Sequence, residues 1–364
     1  MAPSYAELLL RHAASPALAG FRWQGGAILA WDAPVRTLSS WADLRRPGPW
    51  LISLPYAFPA LPGRAWDATR AVRWSDPGET TAAIPPPRAL AVRAQWDAAG
   101  HMARVRETQA AIADGLVYQL NLGCRWELEL APGPHPDLGL HLALLASDPA
   151  RYAGVFRGGD GPALVGNSPE LFLEARAGEL RSCPIKGTRQ RIPGHEAASR
   201  AALDGCAKER AELAMIVDLV RNDLSRVAAI GGVRVDDPGS VFDLPRLHHR
   251  VATVSARLAP GRDLVEALAA AFPAGSITGA PKRAAMAHIA RLEGADRGAW
   301  CGAYGLLDGD ACILAVAIRT VEIAGTALVL RAGGGIVADS DPEAEWHEAR
   351  AKAQGIAMVL GAVI

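Results

Sequence analysis

A chain of 364 residues with 38 basic and 38 acidic side chains carries no formal net charge, and half of its residues are apolar. That balance gives no electrostatic case for nucleic acid or an anionic membrane, and the length allows one large core or two domains. The first residues do not read as a signal peptide, no run of about 18 apolar residues offers a membrane span, and five scattered cysteines without C-x-x-C spacing favour a reduced cytoplasm.

Residues 1–95 read as short strands and loops between turn signals. The triple proline at 85–87 is the best boundary before the region 96–364, within one integrated domain. A helix is expected over 97–114, closed by Gly115. A long strand over 117–130 follows, then a helix over 138–146 and strands over 152–156, 163–166 and 171–175. The turn between the last two ends in Glu170.

A strand-like lead-in over 179–185 delivers Lys186 to a turn opened by Gly187, in the run P-I-K-G-T-R-Q-R. A lysine at the end of a buried strand loses pKa through desolvation, and a neutral amine is a nucleophile or a base. Taken alone, a lysine that snorkels or pairs with a carboxylate is the favoured reading.

One helix is expected over 196–227, with Leu213, Ile216, Val217, Val220 and Leu224 as its apolar stripe. Glu209 falls within that stripe and Glu212 at its edge. Strands over 232–235 and 248–258 and a helix over 263–271 lead to a glycine- and hydroxyl-rich turn, 272–282, suited to an anion. It is neither a P-loop nor a Rossmann turn. A hairpin of strands 302–307 and 311–321 carries Arg319 near its end, and a strand over 327–332 breaks at Gly333, Gly334 and Gly335. The last helix starts at Asp341 and Pro342, with Glu345, Glu348 and Lys352 beside its apolar stripe. Two helices each offering carboxylates one turn apart would make an oxygen-only site for Mg²⁺. Two surface helices with ordinary ion pairs are the alternative.

Several ordered motifs between about residues 115 and 355 resemble the chorismate-utilising enzymes. They include Y-Q-L-N at 118–121, S-P-E at 168–170, P-I-K-G-T at 184–188, G-S-I-T-G-A-P-K at 275–282, I-R-T at 318–320 and A-G-G-G-I-V-A-D-S at 332–340. This family comprises the large subunits of aminodeoxychorismate synthase and anthranilate synthase, with the isochorismate and salicylate synthases. The resemblance implies an α/β (α+β) fold: two large, mostly antiparallel sheets packed face to face, with outer helices and the active site between them. The N-terminal part looks shorter than is usual in the family.

The residue after P-I discriminates. P-I-K-G-T resembles the aminodeoxychorismate synthases, whereas anthranilate synthases usually carry alanine there. The resemblance then implies that Lys186 attacks chorismate and forms a covalent intermediate, with Glu170 as acid for the departing hydroxyl. It also implies that Glu212 and Glu348 hold Mg²⁺, with Glu345 and Glu209 around them. Arg319 and the backbone at Gly333, Gly334 and Gly335 would hold a carboxylate. Thr188, His249, Ser276, Thr278, Trp300 and Lys352 match positions lining the substrate pocket. Caps, packing and ion pairs remain open readings for Ser276, Thr278 and Trp300. Ammonia is expected from a separate glutamine amidotransferase subunit, since no cysteine sits in a G-x-C-x-G turn. The product would be 4-amino-4-deoxychorismate, which a separate lyase would convert to 4-aminobenzoate for folate. Anthranilate or isochorismate formation, or a non-catalytic chorismate-binding subunit, are the rivals. Gln119 stands where isochorismate-forming relatives tend to carry a lysine base. Arg250 stands where the family usually has an aliphatic residue.

Overall fold

The computed structural model describes residues 3–75, 84–243 and 247–364; residues 76–83, part of the stretch expected to form strands and loops, lie outside them. The chain before residue 95 supplies helix α1 (Tyr5–Arg11) and strands β1 (Leu18–Trp23), β2 (Gly26–Trp31), β3 (Val35–Leu38), β4 (Pro49–Leu54), β5 (Gly63–Asp67), β6 (Val72–Trp74) and β7 (Ala89–Ala94). Next come α2 (Ala98–Ala113), β8 (Gln119–Leu130), α3 (Pro136–Ser147), β9 (Tyr152–Arg157), β10 (Ala163–Ser168), β11 (Leu171–Arg176), β12 (Glu179–Cys183) and β13 (Ile185–Gln190). Helices α4 (Glu196–Gly205) and α5 (Ala207–Ser225) precede β14 (Ala228–Asp243), β15 (Leu247–Leu258), α6 (Leu264–Ala271), β16 (Gly279–Ala280) and α7 (Lys282–Glu293). Strands β17 (Ala303–Asp308), β18 (Ala311–Val316), β19 (Thr320–Ala324) and β20 (Ala327–Ile336) and helix α8 (Pro342–Val359) complete the chain.

Among the described residues two ten-stranded sheets result. The first runs β16-β8-β20-β19-β10-β9-β1-β2-β6, with β7 also on β8; the second runs β13-β15-β12-β11-β18-β17-β4-β5-β3, with β14 also on β15. They pack face to face through Phe21, Ile28, Phe156 and Leu164 of the first and Leu51, Trp66, Tyr304 and Ala315 of the second. Helices α5 and α6 cover the outer face of the second sheet, and α1, α3 and α8 cover that of the first. This is the expected α+β architecture. Among the described residues no helix is long and apolar enough to cross a membrane.

Local chemistry sets the helix ends. Asp97 accepts the Gly100 N–H at 2.8 Å to start α2, and Asp341 accepts that of Ala344 at 2.8 Å to start α8. The α5 stripe of Leu213, Ile216, Val217, Val220 and Leu224 is buried as its spacing predicts. Each such side chain contributes about 1.5–3 kcal/mol.

Four expectations are corrected. The helix expected over 196–227 is two, because Cys206 takes an extended backbone between α4 and α5. Gly187 opens no turn: its φ of +88° lies inside β13, at an irregularity in the pairing of β13 with β15. The apolar run 311–321 is not one strand, since β18 belongs to the second sheet and β19 to the first. Nor do the three glycines break a strand, for β20 continues through them to Ile336.

Candidate active site

Two of the chain's passages between the sheets run side by side. From β10 the chain leaves the first sheet through Pro169 and Glu170 into β11, and from β18 it returns through residues 317–319 into β19. The two passages are hydrogen-bonded: the Asn167 N–H donates to the Arg319 carbonyl at 3.0 Å, and the Val316 N–H to that of Glu170 at 3.1 Å. Glu170 thus stands on one crossing and Arg319 on the other. Arg319 has a φ of +49°, a left-handed conformation costly outside glycine. Its guanidinium lies 3.6 Å from Asp148, and the Asn167 amide holds that neighbourhood by donating to the Asp148 carbonyl at 2.8 Å.

Burial pushes the Glu170 carboxyl up to about 7, against smaller lowering by Ser276, the Lys186 charge and the Ile185 backbone. Ser276 is close enough to be felt, yet its buried hydroxyl closes no hydrogen bond of good geometry.

Lys186 rises from β13 into the cleft between the sheets. Desolvation holds its pKa below the usual lysine range; the Glu212 carboxylate opposes this most, and Lys352 reinforces it. Gly335 of β20 receives the amine: a Cβ there would stand 2.8 Å from Nζ. Beside Lys186, the Thr188 hydroxyl meets His249 Nδ1 at 2.9 Å. Burial keeps His249 down to about 4, so the ring is neutral at pH 7, and its Nε2 is buried without a partner.

Helices α5 and α8 bring the four predicted glutamates toward the same end of the cleft. Glu209 accepts from Arg189 at 2.7 Å through one oxygen, while its Oε2 is buried and unpartnered. Glu212 lies 4.0 Å from Lys208, and burial raises its pKa. Glu345 accepts the Ser340 hydroxyl at 2.7 Å. Glu348 pairs with Lys352 at 2.6 Å, which also donates to the Gly333 carbonyl at 2.9 Å. A Cβ on Gly334 would stand 3.1 Å from Glu345 Oε2 and 3.5 Å from Glu348 Oε1. Among the described residues no group of three or more His, Cys, Asp or Glu stands ready to hold a metal ion. The donors available are nonetheless all carboxylate oxygens, one of them orphaned, and that chemistry fits a hard cation.

Two pocket candidates are otherwise engaged. The Thr278 hydroxyl is spent on the Ala274 carbonyl at 3.0 Å, and the buried Trp300 ring packs on Gly123 and under the Arg297 guanidinium. Sequence spacing also missed two buried ion pairs. Lys282 donates to Asp223 at 2.6 Å and to the Ala271 carbonyl at 2.9 Å, tying α5 to the start of α7. Arg297 binds both oxygens of Glu293 and the carbonyls of Ile277 and Asn121. Neither pair shows in apolar periodicity, since each partner lies on its own loop or helix end.

Residues 61–358 match the family of chorismate binding enzymes. The chain belongs to that family. Among its curated relatives, anthranilate synthase component 1 of Streptomyces coelicolor is 41% identical over 256 residues, 70% of this chain and 50% of the relative. Aminodeoxychorismate synthase component 1 of Salmonella typhimurium is 40% identical over 248 residues, 67% of this chain and 54% of the relative. The chain thus spans about half the length of the curated relatives it matches. A chain from Bacillus anthracis, solved under the name of a 2,3-dihydroxybenzoate-specific isochorismate synthase, shares the fold with a TM-score of 0.84 at 22% identity, over 98% of this chain and 99% of that one.

Proposed function

We propose that this chorismate binding enzyme is an aminodeoxychorismate synthase large component, converting chorismate and ammonia to 4-amino-4-deoxychorismate. The observation that carries this reading is the Lys186 amine itself: shifted toward neutrality, it stands in the cleft within the field of a Glu170 carboxyl poised near pH 7.

In the first step the Lys186 lone pair forms a C–N bond at C2 of chorismate, the ring double bonds shift, and the C4–O bond breaks. Hydroxide is a poor leaving group, so the Glu170 carboxylic acid supplies the proton and water departs. Ammonia then bonds at C4, the double bonds shift back, and the C2–N electron pair returns to Lys186. The new ammonium group gives its surplus proton to the Glu170 carboxylate, which restores the acid. The Arg319 guanidinium and the backbone of residues 333–335 would hold a substrate carboxylate. Ser276 and His249, each with a buried polar atom lacking a partner, would meet its oxygens.

Glu212 and Glu348, with Glu345 and Glu209 around them, would hold Mg²⁺. A bound divalent ion would fix the ring carboxylate and draw electron density toward it. Calorimetric titration of the resting protein with Mg²⁺ alone tests this: binding should weaken in Glu212→Gln and Glu348→Gln.

The ammonia donor would be a glutamine amidotransferase subunit, in keeping with relatives named as component 1, and the setting cytoplasmic. The second reading is anthranilate synthesis, favoured by the Streptomyces coelicolor relative at 41% identity. One experiment separates them. The protein is incubated with chorismate, Mg²⁺ and an ammonium salt at mildly alkaline pH, with Lys186→Ala beside it, and products are identified by mass. Aminodeoxychorismate from wild type, lost in the variant, is the expected result. Anthranilate or isochorismate would overturn the assignment, and chorismate bound without turnover would point to a binding subunit.

A further inference from the structure

Arg297 is 2% exposed, and the proposed chemistry gives it no part. Its guanidinium lies against the Tyr56 and Trp300 rings, 4.7 and 4.8 Å from their centres. Nε and Nη2 hold the two Glu293 oxygens at 2.9 and 2.6 Å. Nη2 also reaches the Asn121 carbonyl at 2.6 Å, and Nη1 the Ile277 carbonyl at 2.9 Å. Glu293 in turn accepts the Gly123 N–H at 2.8 Å. One buried cation thus fastens β8 of the first sheet to the turn 275–278, against rings that follow β4 and precede β17 of the second.

Such a network is a poor source of stability, since apolar side chains of equal volume often serve as well. What the planar fork supplies is direction. Ile277 follows Ser276, whose buried hydroxyl closes no bond of good geometry and still holds the Glu170 carboxyl down. A shift of about 1 Å in that turn takes the hydroxyl out of reach of the acid. We infer that Arg297 is a positioning residue, which through the Ile277 carbonyl sets the Ser276 hydroxyl against Glu170. The inference rests on the reading of Glu170 as the acid. The charged or titratable groups that also face Glu170 are Lys186 of β13, Cys301 before β17 and Asp223 of α5, which lines a small cavity with it. None of them accepts a hydrogen bond from Arg297 among the described residues.

Infrared titration of the full-length resting protein reads the Glu170 carboxyl directly, its band identified by its absence in Glu170→Gln. Arg297→Lys keeps a charge for Glu293 and loses the fork. It should move the Glu170 midpoint upward by about one pH unit, the worth of one hydrogen bond to a charged group. Ser276→Ala should move it as far, and the double variant no further than either alone. The Glu170 limb of kcat/KM should follow. If Arg297→Lys does not fold, Glu293→Gln, which keeps the guanidinium and loosens its anchor, carries the same comparison. An unmoved midpoint in either single variant, or shifts that add in the double, overturns the inference while the proposed function stands. A wild type that makes no aminodeoxychorismate overturns the proposed function, and the titration still decides the role of Arg297.

Discussion

Lys186 and Gly335 meet across the gap between the two sheets, the amine of one lying where the other would carry its side chain. Glycine is needed here for space rather than for backbone freedom. Gly335→Ala should therefore displace the amine with little effect on folding. Misplacement by about 1 Å lowers kcat on the order of 10²-fold. Steady-state turnover beside a thermal melt checks this, with the melting temperature expected to hold.

Glu170 predicts two pH effects. The proposed reaction needs a neutral Lys186 and a protonated Glu170, so kcat/KM against pH should be bell-shaped with one limb near 7. Glu170→Gln should remove that limb and cut kcat about 10²–10⁴-fold.

Stability follows the opposite sign from an ion-paired acid. Below pH 4.5 the Glu170 carboxyl is neutral in both folded and unfolded chains. Between 4.5 and about 7 the unfolded chain loses its proton first, so folding weakens as pH rises. Above that, the cost is at most roughly 3 kcal/mol. Glu170→Gln should accordingly raise the unfolding midpoint in denaturant at pH 8 and leave it nearly unchanged at pH 4.

Arg250 explains its own departure from the family pattern. Buried at 3% exposure, it donates to the Gly239 carbonyl at 2.7 Å, that of Leu203 at 2.7 Å and that of Asp204 at 2.9 Å. It satisfies the end of α4 and ties it to β14. Arg250→Leu strands these carbonyls and should cost about 2–4 kcal/mol in urea unfolding.

Asp223 and Lys282 behave as a buried pair. Removing one partner, as in Asp223→Ala, should cost about 3–5 kcal/mol. Asp223→Leu with Lys282→Met should recover much of it. A double-mutant cycle by chemical denaturation measures the coupling.

Much of this was legible from residue order. The α5 stripe is periodic and its side chains are buried together, so spacing found that helix. The motif residues Lys186 and Gly335, far apart in the chain, are brought together in one cleft. The crossing at residues 317–319 was hidden, because an apolar run does not record which sheet each half joins, nor that Arg319 turns left-handed between them. The glycines of β20 were misread for a related reason. Gly333 is pressed by the Leu122 carbonyl and Gly335 by the Lys186 amine, so they mark close approach within a strand rather than its end. The gap at Cys206 was hidden too, for Arg250, which takes up the Leu203 and Asp204 carbonyls beside it, lies some forty positions away.

The paired crossings also set the mechanics of the cleft. Each sheet is stitched to the other by covalent backbone at the same place, so the acid and the guanidinium ride on the seam and keep their spacing however the layers move. Lys186 stands three strands from the seam in one sheet, and Gly335 on the strand next to it in the other. A shift of β13 along its sheet would thus move the proposed nucleophile relative to a proposed acid held by the paired crossings.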